Sequence, residues 1–526
     1  MKTVKRESGD GERTFMSGVL ILSFSTVIVK IIGLAYKIPL MSLLGAEGMG
    51  YFNTAYEIFA LLCGISTSGL PVAISMLVSM AREKGDAAAL GGIFKTSSAL
   101  MLTKGVVISA LLAVFAPYAA RIVGNPDAAL AILAISPSVF FSCAAGAIRG
   151  YFQGCRQMLP TAVSQLTEAL SKLGFGAGFA AVAVARGADV PTAAAFAVLG
   201  VSVGSLLSAA YLFVRKRREG IPHSEKRRGF FMPLLRISFP ITLCSALVGT
   251  TRMIDMTLLM RRLTDVGLSP AEANRIYGSY TTLALPVFGL VPAFIPPITE
   301  SLIPRLAAAV SAKDGDESRR AVANAMRLTA IVSLPASLGI SVYSRQIIGI
   351  LFSNESEAVK IAAPMLSVLG ASVVLSCLIT TSGAVLHSYG RVVFPIAALG
   401  VGAFVKAVSA YFLIGDPQLA EMGAPISTLF SNAAVLCLEL IVVRRVCGKT
   451  GLGSCLPRAA LASIVSIALS YALYAPLSGR LGETPAFLLA LALAVVAYFA
   501  ASVILGVIGK NDLGFLPTFL LKRKRQ

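Results

Sequence analysis

The sequence predicts an all-α integral membrane protein with about 14 transmembrane helices, and three observations carry that reading. First, 56% of the 526 residues are hydrophobic and 14% are charged, whereas soluble domains carry about 25% charged residues. Second, mostly apolar windows of about 20 residues, enough to cross a bilayer as a helix, recur along the whole chain. Third, the basic residues behind the net charge of +20 concentrate in alternate loops. That is the positive-inside pattern of a multi-pass protein, and it argues against a nucleic-acid partner. The short alternating segments of a membrane β-barrel are not visible.

The first apolar hairpin, residues 15–80, is the stretch around which the rest is organised. Its first run, 15–44, carries Lys30 near the middle and Lys37 further along. A lysine deep in a spanning helix costs about 2.5–3.5 kcal/mol, so it should face a partner or a wet cavity. The turn GAEGMG leads into a second run, 51–80, with Asn53, Glu57 and a break at Gly69, Leu70 and Pro71. Four further spans are expected at 91–116, 128–152, 159–185 and 191–214, closing an N-terminal lobe at 1–214.

A basic cytoplasmic linker, 215–230, follows. Spans at 231–259, 276–308, 323–343, 361–386, 393–414 and 425–443 form a C-terminal lobe, 231–443, and two extra helices with a basic tail occupy 444–526. Loop charges place both termini in the cytoplasm, and the polar, basic start reads as an uncleaved first span rather than a signal peptide. The two lobes repeat: Lys84-Gly85-Asp86 before the third span answers Asp314-Gly315-Asp316 before the ninth, Asn125 answers Asn354, and Lys172 answers Lys406. Paired repeats in transporters hold their substrate site between them and work by alternating access.

Intramembrane charges are the candidate site. Lys30, Lys37, Lys104, Lys172, Arg252 and Lys406 stand against Glu57, Glu168, Asp255, Glu300 and Glu439. Some have plain structural readings. Glu168 and Lys172, spaced i, i+4, can neutralise each other, and Lys37, Glu57 and Glu439 lie close enough to helix ends to snorkel. Arg252 and Asp255, spaced i, i+3, share a helix face and can pair. The eighth span carries Pro286, Pro292, Pro296, Pro297 and Pro304 around Glu300. Prolines remove helix donors and force a bend, so Gly69, Pro71, Pro292, Pro296 and Pro297 are candidate gating positions, with a static kink as the alternative.

Enzyme motifs are absent, as is any metal-ligand or redox spacing among the eight cysteines, and no cofactor is expected. Cysteines within apolar runs read as small packing residues. The short external loops weigh against a polytopic glycosyltransferase or ligase.

The stretches KIPLMSLLGAEGMGYFNTAYEI, GLPVAIS and RGYFQG resemble the polysaccharide-export flippases related to stage V sporulation protein B. These belong to the multidrug/oligosaccharidyl-lipid/polysaccharide superfamily, which also contains the lipid II flippase. The resemblance covers essentially the whole chain. It implies a plasma-membrane pair of six-helix lobes, monomeric here by expectation, that moves a lipid-linked sugar precursor among the membrane lipids.

In the lipid II flippase relatives, basic residues of the first helix meet the substrate diphosphate. Lys30 and Lys37 fall at or near those positions, as lysines where arginine is usual, so point charge replaces bidentate geometry. A basic residue expected in the eighth helix is replaced by the Tyr280–Thr281 region. Lys30, Lys37 and Arg252 are thus expected to attract a diphosphate, with Glu57, Asp255 and Glu300 tuning them or joining in ion coupling. The rival transporter, a multidrug exporter of the same superfamily, would need acidic residues for organic cations. The basic first helix argues against it.

Overall fold

A computed structural model describes residues 2–220, 229–296, 314–448 and 452–507 and four single positions between 299 and 312; for 2–21, 23, 452 and 454 only the backbone is described. The chain packs as two compact units, residues 1–282 with 410–420, and 283–409 with 421–526.

In the first unit, α1 (Lys2–Thr67) is two helices joined at Gly45, whose φ of 66° and ψ of 179° only glycine adopts without strain. The rings of Tyr36 and Phe52 lie 6.0 Å apart although 16 positions separate them. A straight helix would hold them about 24 Å apart, so the chain folds back at that vertex. The turn foreseen over 45–50 is therefore compressed to one residue. Next come α2 (Gly69–Glu83), α3 (Ala87–Val114), the short α4 (Ala116–Val123), α5 (Ala129–Gly154), α6 (Leu159–Ala185), α7 (Val190–Glu219), α8 (Phe231–Asp265) and α9 (Pro270–Ser279). Its core joins Ile74 and Val78 of α2, Ile93 and Met101 of α3, Phe152 of α5, Leu212 of α7 and Leu234 of α8.

A π-helical segment, Tyr280–Ala284, carries the chain into α10 (Leu285–Ala293). The second unit continues with α11 (Gly315–Val342), the short α12 (Ser344–Leu351), α13 (Ser356–Ser388), α14 (Val393–Ile414), α15 (Gly423–Cys447), α16 (Leu452–Leu481) and α17 (Glu483–Ile504). Its core brings Val322 and Met326 of α11, Leu378 and Val385 of α13, and Leu436 and Val443 of α15 together. Tyr343 packs on Tyr474 of α16 and Phe487 of α17.

The repeat is visible in local structure. Asp86 caps α3 through the Ala89 amide, and Asp314 caps α11 through the amides of Asp316 and Glu317. Each of these helices runs 28 residues, breaks at an aromatic residue (Phe115, Tyr343) and resumes for 8 residues. Side-chain caps satisfy helix-terminal amides that would otherwise lack acceptors.

Among the described residues, thirteen helical stretches are long and apolar enough to cross a membrane, beginning with Phe24–Glu83. That first stretch holds both arms of the hairpin, so the described residues are roughly consistent with the expected fourteen or so crossings. Large apolar side chains such as Phe24, Phe404, Val496 and Ile504 face outward, as a lipid-facing surface requires.

Candidate functional site

The site assembles within the first unit, where α1, α6, α8, α9 and the π segment meet. Lys30 and Lys37, two turns apart, share one face of α1. Lys30 is exposed and, among the described residues, makes no hydrogen bond or ion pair; its charge is felt by Arg252. Lys37 is half-buried and does not snorkel: its Nζ donates to the Thr281 carbonyl at 2.7 Å. Sequence explains why that carbonyl is open. In a π register a carbonyl looks to the amide five residues on, and for Thr281 that residue is Pro286, which has no N–H.

Asn53 fixes the same segment by donating to Thr282 Oγ1 at 2.8 Å. The hairpin's second arm crosses α9 closely, since a Cβ on Gly278 would lie 1.9 Å from the Ala46 carbonyl. Small residues at such crossings let helix backbones approach. Higher on the same interface, Asn125 donates to Asn274 at 2.8 Å and to Thr54 at 3.0 Å, and Asn274 returns a bond at 3.1 Å.

On α8, Arg252 is far more exposed than Asp255, its neighbour at i, i+3. Its side chain is 57% exposed, while Asp255 is buried at 5%. The cross-helix partner of Arg252 is Glu57, with 3.8 Å between the charged atoms. That separation gives electrostatic attraction but no hydrogen bond, so the guanidinium keeps its donors for another acceptor.

Glu168 does not neutralise Lys172. Arg149 on α5 takes the carboxylate at 3.0 Å and also donates to Ser164 and Ser208 at 2.9 Å each. Lys172 is left over the rings of Tyr36 and Tyr56, 5.7 and 5.2 Å from their centroids. It lies within electrostatic reach of Lys37, as do Glu57 and Arg252. Lys172 is thus a member of the cluster that sequence reasoning assigned to a structural pair. The signal that could have found it was Arg149, a competing cation in the RGYFQG stretch.

Four basic side chains therefore lie within electrostatic reach of one another: Lys37 of Lys172 and Arg252, and Lys30 of Arg252, with Glu57 beside Lys37 and Arg252. Like charges so placed repel one another more strongly as water is excluded, and the arrangement favours an anion that bridges them. Arg and Lys at such a site suit phosphate oxygens.

The break at Gly69 is tightly packed: a Cβ there would lie 2.2 Å from the Ser238 carbonyl of α8. Pro71 sits in the first turn of α2, where a missing N–H costs little. Pro292 lies inside α10, and Pro296 is helical again just past the turn at Phe294. Pro297 and Glu300 lie outside the described residues. Glu439, expected to snorkel, is instead 1% exposed, because α15 runs on to Cys447 and places it two turns inside. Among the described residues, no group of three or more His, Cys, Asp or Glu is placed to hold a metal ion.

The family model described as polysaccharide biosynthesis protein matches residues 15–310, and that described as lipid II flippase MurJ matches 177–521. Among curated proteins of Bacillus subtilis (strain 168), the membrane protein YabM is 28% identical, the alignment covering 81% of this chain and 80% of the relative. Stage V sporulation protein B is 25% identical over 83% and 84%, and the lipid II flippase MurJ 24% identical over 82% and 83%.

Among solved structures, the inward closed conformation of the lipid II flippase MurJ matches with a TM-score of 0.71 at 14% identity, covering 92% of this chain and 98% of that one. The inward-facing form of a MATE-family multidrug transporter of the MOP superfamily matches with a TM-score of 0.66 at 15% identity, covering 82% and 98%. The chain belongs to the polysaccharide biosynthesis protein and lipid II flippase MurJ families, membrane transporters rather than enzymes, and shares the fold of the MurJ and MATE structures.

Proposed function

We propose that this protein flips an undecaprenyl-diphosphate-linked cell-wall or polysaccharide precursor outward across the plasma membrane by alternating access of its two six-helix halves, 1–214 and 231–443. The carrying observation is the chain of neighbouring cations, Lys30 with Arg252 and Lys37 with Lys172 and Arg252, against the single acid Glu57. A diphosphate supplies oxygens enough to bridge several cations, and Glu57 keeps Arg252 oriented between visits. Positive-inside charge supports both termini in the cytoplasm, and the similarity to the lipid II flippase supports a lipid-linked glycan as the class of cargo.

In this reading the breaks at Gly69–Pro71 and along Pro292 to Pro297 serve as gates, and Asp255 and Glu300 tune the cationic site. The rival cargo, an organic cation, fits poorly against a cluster in which bases outnumber acids. The test is translocation of lipid II in cells depleted of their other flippases, comparing the wild type with Lys30→Ala and Lys30→Arg. Wild-type flipping that Ala abolishes and Arg retains supports the reading. A wild type that moves no lipid-linked glycan, or that extrudes organic cations instead, defeats it.

A further inference from the structure

The second unit buries an acid that the proposed substrate path does not use. Glu439 on α15 is 1% exposed and faces α13, where Ser382 Oγ is hydrogen-bonded to its Oε2. The same hydroxyl lies 2.9 Å from the Leu378 carbonyl and 3.1 Å from that of Ile379. A serine hydroxyl has one hydrogen, so it cannot donate both to its own backbone and to a carboxylate. Both contacts are satisfied together when Glu439 carries a proton and donates to Ser382 Oγ, while Ser382 donates to Leu378.

The surroundings point the same way. Leu378 and Val385, which flank Ser382 on α13, and Leu436 and Val443, which flank Glu439 on α15, belong to one hydrophobic cluster, and a bare carboxylate buried beside it would be costly. The titratable groups nearest in register on the packed helices include Arg327 on α11, His387 on α13, Lys406 on α14, and Arg444, Arg445 and Cys447 on α15. Among the described residues, the polar partner of Glu439 is Ser382, and Glu439 forms no ion pair.

The first unit supplies the contrast. There Arg149 bridges α5 to Ser208 of α7, and its charge is cancelled by Glu168 at 3.0 Å. Glu439 stands instead at the end of a polar seam. Seven residues earlier on α15, Asn432 donates to Ser372 and Ser376 at 2.8 and 2.9 Å, and Thr329 meets Thr381 at 2.7 Å.

We propose that Glu439 is a proton-binding site and that transport is coupled to proton movement through it. An O–H bond forms when the carboxylate takes a proton from water on one side of the membrane. It breaks when the acid returns that proton to water on the other. The coupling rests on the flippase reading; the proton site does not.

Two measurements on the full-length protein separate these claims. Infrared spectra in lipid nanodiscs should show a protonated-carboxyl band at neutral pH that Glu439→Gln removes and Ser382→Ala shifts. Absence of that band, or a band indifferent to both changes, overturns the site. If Glu439→Gln does not fold, the Ser382→Ala shift decides alone. In proteoliposomes, an imposed pH gradient should speed the flipping of a fluorescent undecaprenyl-diphosphate glycan several-fold in the wild type and not in Glu439→Gln. Equal acceleration of both, or none in the wild type, overturns the coupling. A wild type that never moves the probe overturns the flippase reading, and the infrared result still decides the proton site.

Discussion

Lys30 is the sharpest probe of the cationic site because it has no structural duty to lose. It is exposed and, among the described residues, hydrogen-bonds to nothing, so Lys30→Met should leave the thermal transition where it is. Its worth to an anion follows from Coulomb's law. A unit pair 4 Å apart is worth about 1 kcal/mol in bulk water and about 4 kcal/mol at the effective dielectric near a protein surface. A half-wet site lies between, near 2 kcal/mol, which converts to about a thirtyfold loss of affinity. The assay is concentration-dependent flipping of a fluorescent undecaprenyl-diphosphate glycan in proteoliposomes, with thermal unfolding in parallel. Lys30→Arg should keep most of the affinity, since the charge persists. Wild-type affinity in Lys30→Met at normal stability would refute the placement of the diphosphate; equal loss of affinity and of fold would show Lys30 to be structural.

Other expectations differ in kind. Lys37→Met should impair both transport and stability, because it strips the donor from a carbonyl that Pro286 cannot serve; about 1–3 kcal/mol of destabilisation is expected by chemical denaturation. Arg149→Ala should destabilise by about 2 kcal/mol, less than a fully buried pair because both partners are partly exposed, and Arg149→Ala with Glu168→Ala should be more stable than Arg149→Ala alone. Freeing Glu168 should also draw Lys172 toward it, so Arg149→Ala should lower substrate affinity, read in the same flipping assay. Gly69→Ala should reduce folded yield sharply, since its Cβ would strike the Ser238 backbone; near-normal yield would show that α2 and α8 can separate cheaply.

The membrane fold was legible because bilayer length and apolar content are properties of the chain itself. Lys30 stood out for the same reason, as a charge where the helix has no end to escape to. Arg149 and Glu168 show where such reading stops: spacing on one helix proposes Lys172 as the partner, yet a cation 19 residues earlier on another helix reaches the carboxylate first. Glu439 was misplaced because α15 continues past residue 443, the limit of its apolar run, so snorkelling distance was misjudged by a turn. The prolines announced a break, but identifying which carbonyl it opened needed the π register. Spacing on one helix offered Asp255 to Arg252, whereas the acid 3.8 Å from its guanidinium, Glu57, stands on another helix and is not reached by i, i+3 arithmetic.

The bond from Lys37 to Thr281 has one more consequence. A carboxylate partner would fix a lysine and cancel it in the same act, as Arg149 and Glu168 cancel each other. A backbone carbonyl carries no formal charge, so it anchors the ammonium and leaves the whole positive charge in place. An ammonium has three hydrogens, and Thr281 occupies one. Lys37 is thereby held in place by a partner that does not itself neutralise it, an anchored charge presented to whatever approaches with the opposite sign.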